Sequence, residues 1–116
     1  MKERKTLVSP ILLKETIHKL IAEASVSLHS RYLEELKGKR EEEDSPNARW
    51  ILDQLWKNGE IARREKTPLC QDTGYVLVFI NVGKDICLPS DVQTPIDEAV
   101  HQAYEEALLR ASIVSH

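Results

Sequence analysis

Pro68-Leu69-Cys70-Gln71-Asp72-Thr73-Gly74 sets a thiol, an amide, a carboxylate, a hydroxyl and a glycine at five consecutive positions. Cys70 can supply a thiolate, which is the metal-binding and nucleophilic form of cysteine. Asp72 can position a proton or a hydroxyl, and Gly74 lets the backbone turn or approach a ligand closely. The same letters also make an ordinary tight turn. Asp-Thr-Gly is good turn chemistry, Thr73 suits a turn hydroxyl better than a nucleophile, and cysteine often serves as a small buried hydrophobe. From the residues alone, both readings stand.

Other chemically capable residues are less organised. Cys87, in Asp85-Ile86-Cys87-Leu88, lies outside any recognisable motif. Sixteen residues separate the two cysteines, and their different surroundings argue against a disulfide in a chain with no export signal. His18, His29, His101 and His116 stand at no zinc-ligand spacing from either cysteine. Trp50 and Trp56 read as packing residues rather than ligand-stacking ones.

The elements that must carry the loop can be read from periodicity and punctuation. Ser9-Pro10 is a helix start, leading into an apolar stripe at Leu13, Ile17, Leu20, Ile21 and Ala24. Ser30 is a candidate cap for a second helix carrying Leu33 and Leu36, running into the charged, solvated stretch Lys37 to Asp44. Ser45-Pro46 repeats the start signal. Ala48, Ile51, Leu52, Leu55 and Trp56 then form a regular core face, and Gly59 either ends that helix or interrupts it before Ile61 and Ala62.

Beyond Thr67-Pro68 the pattern changes. Val76 to Val82 is a near-continuous apolar run rich in β-branched residues, expected as a strand buried on both faces. Gly83 to Ser90 is a turn-rich connection. Thr94-Pro95 opens a last helix with its stripe at Ile96, Val100, Ala103, Tyr104, Ala107 and Ala111. One strand cannot satisfy its own backbone, so a further strand is needed, with Asp85 to Leu88 a candidate, or else partners lie in chain beyond this one. The expected fold is α+β: a helical N-terminal layer over residues 1–66, then a cysteine-motif loop, a buried strand and a C-terminal helix over 67–116, as an incomplete portion of a larger domain.

Composition excludes several function classes. A 41% apolar and 30% charged chain is ordinary for a globular protein. A net charge of −3 without clustered Lys and Arg speaks against nucleic acid as a partner. No run of about 18 apolar residues is present to span a membrane. The basic start at Lys2, Arg4 and Lys5 leads into no apolar stretch with a cleavage site, so the expected location is the cytoplasm.

Pro-Leu-Cys-Gln-Asp-Thr-Gly resembles the motif of the class I, iron–sulfur fumarate hydratases and of the α subunit of L-tartrate dehydratase. The lead-in Asn58-Gly59-Glu60-Ile61-Ala62-Arg63 is similar to the family's helix before that motif. The apolar run from Val76 to Val82 resembles the family's segment directly after it. Tyr104-Glu105-Glu106 and Leu109-Arg110-Ala111-Ser112-Ile113-Val114 resemble the family's next helix and its exit. The resemblance covers essentially the whole chain, most closely from Ser45 onward.

It implies a hydro-lyase that adds or removes water on a small dicarboxylate, fumarate or malate first and tartrate next. It also implies a 4Fe–4S cluster held by three cysteines, whose open iron acts as a Lewis acid. Cys70 would be one cluster ligand. Gln71 would donate a hydrogen bond to substrate, Asp72 would handle a hydroxyl or proton, and Arg110 would pair with a substrate carboxylate. From the residues alone, Arg110 also suits an exposed place in the last turn of the final helix.

By the same resemblance, two further cluster cysteines belong to the remaining α segment. The catalytic base belongs to a β subunit or C-terminal domain, in an oligomeric assembly. The 116 residues alone are therefore expected to be inactive. The alternative from another function class is a helical protein-interaction module that derives from this family and has lost its chemistry.

Overall fold

The computed structural model describes residues 5–70 and 76–110. The chain divides into two compact units, residues 23–72 and residues 1–22 together with 73–116. As the residues lead one to expect, the fold is mainly helical, with a small sheet and a C-terminal helix.

In the unit of residues 23–72, helices α2 (Ser30–Glu42) and α3 (Pro46–Glu65) pack against each other across a three-residue connection. Such a short link returns the chain on itself as a helical hairpin. Ser45 caps α3 as its sequence suggests, its hydroxyl accepting from the Ala48 amide at 3.5 Å, with Pro46 at the first helical position. The Arg49 guanidinium donates back to the Glu43 carbonyl, and the Ser45 amide donates to Glu43 Oε1 at 2.9 Å, so the connection is closed from both sides. Asp53 accepts from Arg40 at 3.2 Å and from Lys57 at 3.0 Å. Those two cations hold its carboxyl below the usual range, the Lys57 hydrogen bond contributing most.

Helix α2 starts one residue earlier than Ser30 as a cap implies. His29 is the cap, its Nδ1 accepting from the Arg31 amide at 3.3 Å. Leu36 is buried and Leu33 half-buried. Gly59 neither ends nor breaks α3; it is a buried point of close approach. A Cβ there would stand 3.0 Å from Leu33 Cδ2 and 3.1 Å from Leu28 Cδ1.

The expected core face of α3 is only partly covered. Ala48, Leu52 and Trp56 are half-buried, but Ile51 and Leu55 are exposed; Gly59 and Ala62 further along are buried, and Trp50 is 64% exposed, so Trp50 is not a core residue here. A helix presenting one stripe to one partner helix buries what that partner reaches, and among the described residues of this unit α2 is the only partner helix.

In the other unit, α1 (Pro10–Val26) and α4 (Gln93–Glu106) accompany a two-stranded parallel sheet of β1 (Thr6–Leu7) and β2 (Ile86–Cys87). The last four residues of α1 belong to the first unit. Thr6 pairs with Ile86 and Leu7 with Cys87, supported by Thr6 N–H to Asp85 O at 2.8 Å and Val8 N–H to Cys87 O at 2.9 Å. Strand β2 falls in the candidate segment Asp85 to Leu88, whereas β1 has too few residues to show a period. Ser9 caps α1, its Oγ accepting from Leu12 N–H at 3.1 Å.

Leu13, Ile17 and Ala99 form a small core, with Val8, Ile21, Val92 and Ile96 packed on it, and Ala103 is also buried. Leu20 and Ala24, counted in the expected stripe, are exposed. An ion pair, Lys14 to Glu98 at 2.9 Å, and a hydrogen bond between His18 Nε2 and Glu106 Oε2 at 2.8 Å bracket this core. Helix α4 begins at Gln93, and Asp91 rather than Thr94 supplies the side-chain acceptor, taking the Thr94 amide at 3.1 Å. Hydrogen bonds from Thr94, first its side chain and then its amide, hold the Asp91 carboxyl below the usual range.

The expected buried strand at Val76 to Val82 is not present. Residues 76–82 form no strand, and Leu77, Val78, Phe79, Ile80 and Val82 are all exposed, Phe79 by 87%. The apolar run has strand composition, but a strand needs a hydrogen-bonding neighbour, and the sheet among the described residues consists of β1 and β2 alone. Helix α4 stops at Glu106, and Ala111, expected in its stripe, lies outside the described residues. Leu108 turns into the left-handed region with φ 51°. Among the described residues no helix is long and apolar enough to cross a membrane.

Candidate metal and substrate site

The cysteine loop begins where α3 is stopped. Lys66 adopts the left-handed conformation, φ 55° and ψ 34°, directly after Glu65. This C-terminal device turns the chain out of the helix. Thr67-Pro68 then prevents helix from resuming, since proline has no amide to give and restrains the residue before it.

The next two amides find fixed acceptors. Leu69 N–H donates to Ser25 O at the end of α1 at 2.8 Å, and Leu69 is half-buried. Cys70 N–H donates to Asn58 Oδ1 at 3.1 Å, from a side chain twelve residues back in α3. The loop backbone is thus held by two helices within one unit while the Cys70 residue stays exposed and free of any disulfide. The alternative of Cys70 as a small buried hydrophobe does not hold.

Gln71, Asp72, Thr73 and Gly74 lie outside the described residues, as does Tyr75. Arg110 is exposed and belongs to the other unit. It stands four residues past the end of α4, not in that helix's last turn. Cys87 is exposed on β2, its thiol near the Leu88 carbonyl at 3.7 Å, and it too is free of any disulfide. Among the described residues, no three of His, Cys, Asp and Glu gather as a metal site. The donor set therefore fits a 4Fe–4S cluster in one respect: Cys70 is an exposed, free cysteine on a braced backbone, and among the described residues no group of three ligands gathers around it.

One hollow of about 350 Å³ opens in the helical hairpin, lined by Arg40, Asp44, Pro46, Arg49, Trp50 and Asp53. Arg40 is paired with Asp53 and Arg49 is bonded to the Glu43 carbonyl, so both cations are already engaged. None of the residues expected at the site lines it.

Sequence patterns do not single out Asn58 as a functional residue. Its one signal is an asparagine in the interior of a strongly periodic helix, where its side chain competes with the backbone and lowers helix propensity.

A family model described as fumarate hydratase (Fumerase) matches residues 14–116. The chain belongs to the fumarate hydratase family. A provisionally named L(+)-tartrate dehydratase subunit alpha of Methanocaldococcus jannaschii is 31% identical over 105 residues, covering 88% of this chain and 36% of that protein. The L(+)-tartrate dehydratase subunits alpha of Escherichia coli K12 and Shigella sonnei are each 28% identical over 102 residues, covering 88% of this chain and 34% of theirs. The chain thus spans about a third of the length of these curated relatives. No solved structure matches it. The loop that ends α3 carries an exposed cysteine, Cys70, within the motif, and β2 carries a second, Cys87, outside it.

Proposed function

We propose that this chain contributes one cluster ligand and part of the substrate pocket to an iron–sulfur hydro-lyase acting on a small 2-hydroxy dicarboxylate. The observation that carries the reading is the exposed Cys70 thiol on a backbone fixed at Leu69 and Cys70, in a chain of the fumarate hydratase family. Cys70 would hold one iron of a 4Fe–4S cluster. When bound, the cluster supplies Lewis acidity toward a substrate hydroxyl and carboxylate. Gln71 donates a hydrogen bond to substrate oxygen, and Asp72 holds the hydroxyl or its proton. Arg110 offers two parallel N–H donors to a carboxylate, a geometry that suits guanidinium better than ammonium.

The family description favours fumarate and malate, and the relatives' names favour L(+)-tartrate. Further cluster cysteines, the base and additional carboxylate-binding groups would come from the remaining α segment and from a β subunit or C-terminal domain. The exposed apolar run from Leu77 to Val82 is consistent with contact to such additional protein. The chain by itself would be inactive. A cytoplasmic location fits an oxygen-sensitive cluster.

The test is anaerobic reconstitution of the complete assembly with iron and sulfide, assayed with fumarate, malate and tartrate. The expected product is a brown, oxygen-sensitive enzyme whose iron is lost in Cys70→Ser. Iron content and turnover unchanged by that substitution would remove Cys70 from the cluster. A colourless assembly that binds a protein partner without iron would favour the interaction module instead.

A further inference from the structure

We propose that Asn58 is a positioning residue for the cysteine loop, its side-chain oxygen fixing the peptide plane from which Cys70 presents its thiol. The inference rests on the reading of Cys70 as a cluster ligand and adds to it the residue that aims the ligand. Once Lys66 has turned the chain out of α3, the next amides have no helical acceptor of their own. Two successive ones are nevertheless taken up, Leu69 by Ser25 O at 2.8 Å and Cys70 by Asn58 Oδ1 at 3.1 Å. The two held amides belong to the planar peptide units that meet at Leu69, so together they fix Leu69 and the plane that carries the Cα of Cys70. The residue meanwhile stays exposed and free of any disulfide. A metal ligand needs that combination of a held backbone and an open side chain.

The local sequence of α3 supports the assignment. Asparagine is a poor residue for a helix interior, and Asn58 sits seven residues before the end of a twenty-residue helix. It is half-buried. Its neighbour Gly59 lets Leu28 and Leu33 close to within 3.1 Å of a virtual Cβ, which fixes this part of α3 against the hairpin. The donor is a backbone N–H, so the acceptor must be the amide oxygen. Aspartate would accept in the same geometry, whereas alanine leaves the Cys70 amide to water.

The full chain labelled with 15N-cysteine gives two amide signals, Cys70 and Cys87, and the second is an internal reference. In Asn58→Ala, exchange of the Cys70 amide with water should rise roughly five-fold, the size expected for losing one net hydrogen bond. The Cys87 signal should not change, and Asn58→Asp should restore the slow rate. Unchanged Cys70 exchange in Asn58→Ala overturns the proposal. So does an equal loss in Asn58→Ala and Asn58→Asp, or a change in both cysteine signals together, which would make Asn58 a general packing residue. In the reconstituted assembly, Asn58→Ala should broaden the electron paramagnetic signature of the reduced cluster, and Asn58→Asp should keep it. Iron uptake unchanged in Cys70→Ser overturns the cluster reading itself, a result to which the exchange measurement is blind.

Discussion

The inward face of α1 and the run of residues 76–82 are both apolar, yet they meet opposite fates. Ile17 is 4% exposed and packs with Leu13 and Ala99, while Phe79, a larger side chain, is 87% exposed. The difference is not hydrophobicity. A helix closes its own backbone hydrogen bonds and needs only a surface to lie on, here provided by α4. An extended segment must borrow its hydrogen bonds from a neighbour, and the sheet available among the described residues is two strands of two residues each. Burial therefore tracks the supply of partners rather than the letter of the side chain.

Truncations break or sharpen that contrast most directly. Ile17→Ala should cost about 3 kcal/mol of folding stability, as core deletions do, read from the urea midpoint. Phe79→Ala, which removes more atoms, should cost less than about 0.5 kcal/mol, as exposed substitutions do. Equal losses would mean that the 76–82 segment is packed in solution. Next in size is Gly59→Ile, which should destabilise by about 2 kcal/mol through overpacking, since the added Cβ alone meets Leu33 and Leu28 at 3.0 and 3.1 Å. Gly59→Ala should be close to neutral, because gained helix propensity of about 1 kcal/mol offsets the crowding. A Gly59→Ile variant as stable as wild type would show that the two leucines move aside.

Ser45→Ala should cost about 0.5–1 kcal/mol, the lower part of the range for a lost N-cap, because the bond it removes is long at 3.5 Å. A thermal melt of the pair measures it. The smallest effect is electrostatic. Hydrogen bonds from Thr94 depress the folded-state pKa of Asp91. Its contribution is then fully present above the unfolded value of about 3.9 and is lost as pH falls through the lower folded value. Melting temperatures taken from pH 6 down to pH 3 should fall less steeply in Asp91→Asn than in wild type, and parallel slopes would remove Asp91 from the pH dependence.

What was legible in the sequence was what neighbours in the chain decide. The starts at Ser9-Pro10 and Ser45-Pro46 were readable because an N-cap hydroxyl meets an amide three residues ahead. The stripe through Leu13 and Ile17 was readable because helical spacing puts both on one face. Caps were misread where a competing acceptor stood one to three residues away, His29 before Ser30 and Asp91 before Thr94. The motif around Cys70 was conspicuous by its residue types, whereas its support was not, because Asn58 reaches it from another element.

The sequence by itself determined the helices, the place of the cysteine loop and the family to which the chain belongs, because caps, periods and motifs are short-range patterns written in consecutive residues. Only the tertiary structure decided that Gly59 is a contact point rather than a helix end, that Trp50 is exposed, that residues 76–82 lie outside the sheet, and that the Cys70 amide is held by Asn58. Each of these depends on which groups from distant parts of the chain come within hydrogen-bond or van der Waals reach, and no local pattern encodes that distance.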